Sequence, residues 1–157
     1  MEKIYGAENR CDGIKQIGRR RWKVFFGFGE DDMGTYVHCH VFDYRPSLEE
    51  VKEMILGQIN AIVQERILSG LKYRDKIVWL SAENQRNIAL DYAMAKGSDI
   101  QTLPTLKLGT DEDYEMYTFQ DVNEFVSFAV QVQTHIEGCI AWGREQKELV
   151  NWTNYEE

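Results

Sequence analysis

The chain has 157 residues, enough for one domain or two small lobes, and its 43% apolar and 12% aromatic content excludes a disordered chain. Its formal charge is −8, and the excess acid lies after residue 46: residues 1–46 carry 8 Lys+Arg against 7 Asp+Glu, the remainder 10 against 19. Such a body repels phosphate backbones, which excludes general nucleic-acid binding, and no apolar run approaches the roughly 20 residues that span a bilayer.

The opening MEKIYGAENRCDG has no apolar core of a secretion signal. From there the first 46 residues predict three strands: GIKQIG, RRRWKVFFGFG and TYVHCHVFDY, separated by turn material and stopped by Pro46. Alternation places Trp22, Val24, Phe26 and Phe28 on one face of the middle strand. In the third strand Val37, Cys39 and Val41 share a face expected to be core, and Tyr36, His38, His40 and Phe42 share the other. Ser47 and Glu50 then match a capping box, and Val51, Met54, Ile55, Ile59, Ile62, Val63 and Ile67 predict a helix over about 48–69, with Gly70 as its cap. LKYRDKIVWL predicts a hairpin about a turn at 74–76. Ser81 begins a second helix ending at Gly97, and Pro104 opens a further hairpin through TLKLG and YEMYTF. Asp121 caps a last helix whose apolar stripe runs from Val122 to Ile140, with Gly138 and Gly143 weakening its second half. The fold class is α+β: an antiparallel β-meander over 1–46, then three helices interrupted by two short β-hairpins over 47–157, together forming one compact domain.

Chemistry is sparse. His38 and His40 point the same way from their strand and could chelate one ion, but zinc requires a third protein ligand and Cys39 faces away. The pair is a weak metal candidate. His135 and Cys139, at i and i+4 on a helix, have a second chelating spacing that nothing brings to the first. Cys11, Cys39 and Cys139 are scattered and odd in number, and they read as free thiols. No nucleophile elbow, phosphate loop or calcium loop is present in the sequence, so the expectation is no catalytic residue, no cofactor and no enzyme. Arg19–Arg21 and the acids Asp111, Glu112 and Asp113 read as solvated turns. Core packing accounts for Trp22 and Trp79, leaving Trp152 as the better interface tryptophan.

ERILSGLKYRDKIVWLSAENQRN, with LPTLKLG, the YTF before the last helix and RPSLEEVK, resembles an uncharacterised family of small proteins encoded by Bacteroides-type gut phages and prophages. VWLSAENQ, residues 78–85, is the most specific part, and the likeness covers most of the chain. Leu71 and Tyr73 stand where the family has Phe and Trp, and AWGREQKE replaces its Gly-Trp pair. The resemblance implies a virion-associated, tail-associated or assembly protein, located in the bacterial host cytoplasm or the virion. Such a protein would act through contacts with other phage structural proteins or with its own copies. The expected contact surface is the aromatic sheet: Trp22, Phe25, Phe26, Phe28, Tyr36 and Phe42. Two alternatives stand beside it: a metal-dependent hydrolase or nuclease using His38 and His40, and a phage-encoded intracellular regulator that binds a host protein.

Overall fold

The computed structural model describes residues 1–6, 11–97 and 102–156. Its fold class is the predicted α+β: an antiparallel sheet, here of four strands, then three helices with two short hairpins. The chain divides into two compact units, Met1–Asn60 with Gln146–Glu157, and Ala61–Glu145. Among the described residues, no helix is long and apolar enough to cross a membrane.

In the first unit, β2 (Gly13–Gln16), β3 (Trp22–Asp31) and β4 (Gly34–Phe42) form the expected meander. The sequence predicts three strands; a fourth, β1 (Glu2–Tyr5), pairs antiparallel along the free side of β4 and sets the order β1-β4-β3-β2. Its four residues are too few to display alternation, and its partner lies more than thirty positions away. The helix α1 (Leu48–Ser69) begins with the predicted capping box: the Glu50 N–H donates to Ser47 Oγ at 3.3 Å, and the Ser47 N–H donates back to Glu50 Oε2 at 2.8 Å. Val51, Ile55 and Ile59 of α1 form a buried cluster with Val24, Phe26 and Tyr155. Tyr155, on a short 3-10 turn (Trp152–Tyr155), donates its hydroxyl to the Phe25 carbonyl at 3.0 Å.

The second unit holds the hairpin β5 (Lys72–Tyr73) and β6 (Lys76–Ile77), the helix α2 (Ala82–Lys96), the hairpin β7 (Thr105–Gly109) and β8 (Tyr114–Thr118), and most of α3 (Val122–Leu149). The β5–β6 turn puts Arg74 and Asp75 at φ 52° and 63°, the left-handed pair that a two-residue hairpin demands. An isolated antiparallel bridge joins Val78 to Leu108 of β7. The core is aromatic. Tyr73, Tyr117, Phe119, Phe125 and Phe128 meet mostly edge to face, with centroids 4.9 to 6.1 Å apart. Glu124 accepts from the hydroxyls of Tyr73 and Tyr117 through Oε1 and from the Gln120 N–H through Oε2, which ties the start of α3 to that cluster.

The two helix glycines in α3 differ. A β-carbon on Gly138 meets nothing within 4 Å, whereas one on Gly143 would lie 2.5 Å from Val63 Cγ2. Val63 is β-branched and cannot swing aside cheaply. Gly143 is thus a packing requirement, which explains why α3 runs unbroken through it. In urea melts Gly138→Ala should add about 0.5–1 kcal/mol by removing backbone entropy from the unfolded chain. Gly143→Ala should cost about 1–3 kcal/mol by overpacking. Stability gains in both variants would refute the Val63 contact.

Candidate functional site

Register decides where the histidines go. Residues directly opposite across antiparallel strands share a face, and here Val24 opposes His40 while Phe26 opposes His38. The histidine face is therefore the face that supplies Val24 and Phe26 to the buried cluster with α1, which corrects the expectation that the Cys39 face alone is core. Val37, His38 and Cys39 are all buried, so the middle of β4 is covered on both faces. His40 is exposed, with its ring edge-on to Phe42 at 4.7 Å. Among the described residues His38 Nδ1 has no hydrogen-bond partner, and a β-carbon on Gly27 would come within 3.6 Å of it. Burial, followed by the positive charge of Lys3 directly opposite on β1, pushes the imidazole below its usual pKa. Among the described residues, no three His, Cys, Asp or Glu side chains gather where they could hold one metal ion.

The predicted aromatic surface divides. Gly27 has φ +69°, and the pairing shifts between Phe26 and Gly29, so Gly27 and Phe28 together oppose Val37. That bulge moves Phe28 off the face of Phe26. Trp22, Tyr36 and Phe42 stay on the histidine face, Phe25 and Phe28 lie on the other, and all five are half-buried; Phe26 is core. Tyr36 lies over Gly29, where a β-carbon would be 2.5 Å from its hydroxyl, and Lys3 Nζ sits 3.8 Å from its ring centroid. These aromatics are largely engaged within their own unit.

His135 and Cys139 are also structural. His135 Nε2 lies 2.9 Å from the carbonyl of Arg66 in the last turn of α1, an oxygen that also accepts from the Gly70 N–H at 2.8 Å. Cys139 Sγ is 3.7 Å from the same nitrogen, and burial raises its thiol pKa, the opposite of what a nucleophile needs.

The site that the sequence reading missed is Trp79. Val78 and Leu80 are 4% and 1% exposed, and Trp79 between them is 50% exposed. The Val78 N–H donates to Leu71 O and the Leu80 N–H to Leu68 O, both at 2.8 Å. Ser81 Oγ caps α2 by accepting from the Asn84 N–H at 3.2 Å. Asn84 Nδ2 then donates back to Trp79 O at 2.7 Å, and Gln85 Nε2 to Leu80 O at 2.8 Å. Every part of VWLSAENQ except Ala82 and Glu83 thus either anchors or clamps this backbone. Two grooves of about 340 and 400 Å³ flank Trp79 and share it with Asn84 and Lys107. The expected interface residue, Trp152, is instead half-buried against the first core. Alternation around Val78 and Leu80 was the signal available in the sequence, hidden because a lone tryptophan between aliphatics usually reads as core.

A larger groove of about 820 Å³ runs between α2 and α3, floored by Ile88, Ala89, Ala129 and Val132. Its amides are engaged, Gln85 with Leu80 O and Gln133 with Glu137 at 2.7 Å, and Arg86 and Thr134 complete its polar lining.

His38 carries a pH prediction. The native state favours the neutral ring, so the unfolded chain binds the proton more tightly. The contribution is complete above the ordinary imidazole pKa of 6.5 and is lost as pH falls through 6.5 towards the lowered native value. Urea melts at about pH 7.5 and 5.5 should show a smaller pH difference in His38→Gln than in the parent; an equal difference would assign the effect to other groups. No family model, curated protein or solved structure matches the chain, and its function has to be read from its own residues.

Proposed function

We propose that this chain is a non-enzymatic phage or prophage accessory or structural protein that acts through protein–protein contacts, with Trp79 as the anchor of its contact surface. The phage setting comes from the sequence resemblance. The observation that carries the contact reading is a half-exposed tryptophan whose backbone is clamped on both sides. Tryptophan is enriched among the few residues that dominate interface energies, and a clamped one loses little freedom on binding. The neighbouring grooves give a partner's side chains somewhere to seat.

Mass spectrometry of purified virions separates the two contact roles: a virion component is present in them, and a regulator of a host protein is absent. Trp79→Ser should cost about 2–3 kcal/mol of stability, the worth of the half of the ring that is buried, and leave the fold intact by circular dichroism. The same substitution should weaken the captured partner by about 2 kcal/mol or more, roughly 30-fold, in titration against the partner identified with the parent protein. Undiminished binding would remove Trp79 from the contact surface. Stoichiometric zinc, iron or manganese in untagged protein would favour a metal-dependent hydrolase instead.

A further inference from the structure

We propose that the outer edge of β8 is a strand-addition site for an extended, basic, alternately apolar segment of a partner protein. This rests on the reading of the Trp79 face as a contact surface and adds the partner's chemistry.

The edge is open. β8 pairs with β7 on one side, and the other side of β7 is met by the Val78–Leu108 bridge. Among the described residues, nothing pairs with the outer side of β8. Natural sheets protect such edges with proline, lysine or a bulge. Tyr114–Thr118 contains no proline or lysine, and its register with β7 is unbroken from Gly109–Tyr114 to Thr105–Thr118. The edge also presents apolar surface. Tyr114 and Met116 are 55% and 59% exposed, on the face where they oppose Gly109 and Lys107. Lys107 also lines both grooves beside Trp79, so the edge and the anchor belong to one surface. An added strand of about five residues would lay alternate side chains beside Tyr114 and Met116.

Charge selects the occupant. Asp111, Glu112 and Asp113 form the turn leading into β8, and Glu115 lies on it. Three cations lie nearby: Lys107, held by Asp111 at 2.5 Å, Lys76, held by Asp113 at 2.7 Å, and Arg74, whose guanidinium lies 4.6 Å from the Tyr117 ring centroid, so the four acids still outnumber them. Glu112 and Glu115 have no ion-pair partner among the described residues, so the edge is left net negative. A second copy pairing β8 with β8 would bring the same acids together within about a Debye length of 8 Å, which disfavours self-association. A segment bearing Lys or Arg is steered in.

The test is fluorescence anisotropy of the intact protein with a labelled peptide of about nine residues alternating Lys and Val, its Glu/Val counterpart, and two Lys/Val versions N-methylated on one or the other alternate set of backbone amides. The Lys/Val peptide should bind at least tenfold tighter than the Glu/Val peptide and weaken with added salt. One N-methylated set should lose binding and the other keep it, because only one set of amides faces β8. Glu115→Lys, a surface change, should weaken binding at least tenfold. Equal binding of the Glu/Val peptide, indifference to both N-methylations, no saturable binding below about 1 mM, or a concentration-dependent dimer in sedimentation would overturn the proposal. Loss of the natural partner in Trp79→Ser but not in Glu115→Lys would refute the edge and leave the contact surface standing. Peptide binding with the edge signature, alongside partner capture that ignores Trp79→Ser, would refute the anchor and leave the edge.

Discussion

Val78 and Leu80 cannot both be buried without turning the residue between them towards water. The rest of the Trp79 surface depends on that period-two constraint. Sliding the segment by one residue would bury the indole and expose two aliphatic side chains. Trp79, already half-buried, has roughly 2–3 kcal/mol left to gain, whereas uncovering a valine and a leucine costs about 3–6 kcal/mol. Apolar area alone therefore holds the register, before counting the bonds that Leu68 and Leu71 accept from this segment. Ser81, Asn84 and Gln85 follow from the same placement: once α2 must start immediately after Leu80, its first turn is positioned to take up the carbonyls of Trp79 and Leu80.

The elements were legible where their signals were local. Ser47 and Glu50 announce a helix start within four residues and make the bonds that motif implies. Ser81 does the same for α2. What was hidden depended on partners far away in the chain. β1 has no pattern of its own and exists because β4 offers it an edge. The bulge at Gly27 is readable as a glycine between phenylalanines, yet which face Phe28 ends on is settled only by pairing with Val37. For the same reason Phe28, which alternation groups with Trp22 and Phe26, lies on the opposite face. The candidate site failed in the opposite way: VWLSAENQ stood out in the sequence, but residue type alone assigned its tryptophan to the core.

The strand that looked most chemical, TYVHCHVF, is better understood through burial than through ligation. A neutral imidazole can occupy a covered position opposite Phe26 at moderate cost, whereas a charged one beside Lys3 cannot. Lys3 itself is drawn the other way. Its hydrogen bond to Asp31, 2.6 Å long, raises its pKa to about 12, so the positive charge opposite His38 persists at every pH at which the ring titrates. The unpaired Nδ1 is thus the residue of a compromise: the aromatic shape fits between Tyr36 and the Gly27 backbone, and one polar atom goes unsatisfied.

Rigid presentation and acidic charge act on different stages of an encounter. In the proposed encounter the charge on the 111–115 segment would set how often a basic partner arrives, and salt would weaken that effect because the acids are exposed. The clamped backbone at Trp79 would set how long that partner stays, since an anchor that is already ordered gives up little entropy when it is covered. Lys107 links the two. It is held by Asp111, its ammonium lies 4.8 Å from the Tyr114 ring centroid, and it lines both grooves beside the indole. A partner cation that displaced Lys107 from Asp111 would free a lysine next to Trp79 and Tyr114, where cation–π attraction offsets part of the lost ion pair. In the proposed complex, one exposed lysine would couple charge recognition at the rim to aromatic contact at the centre.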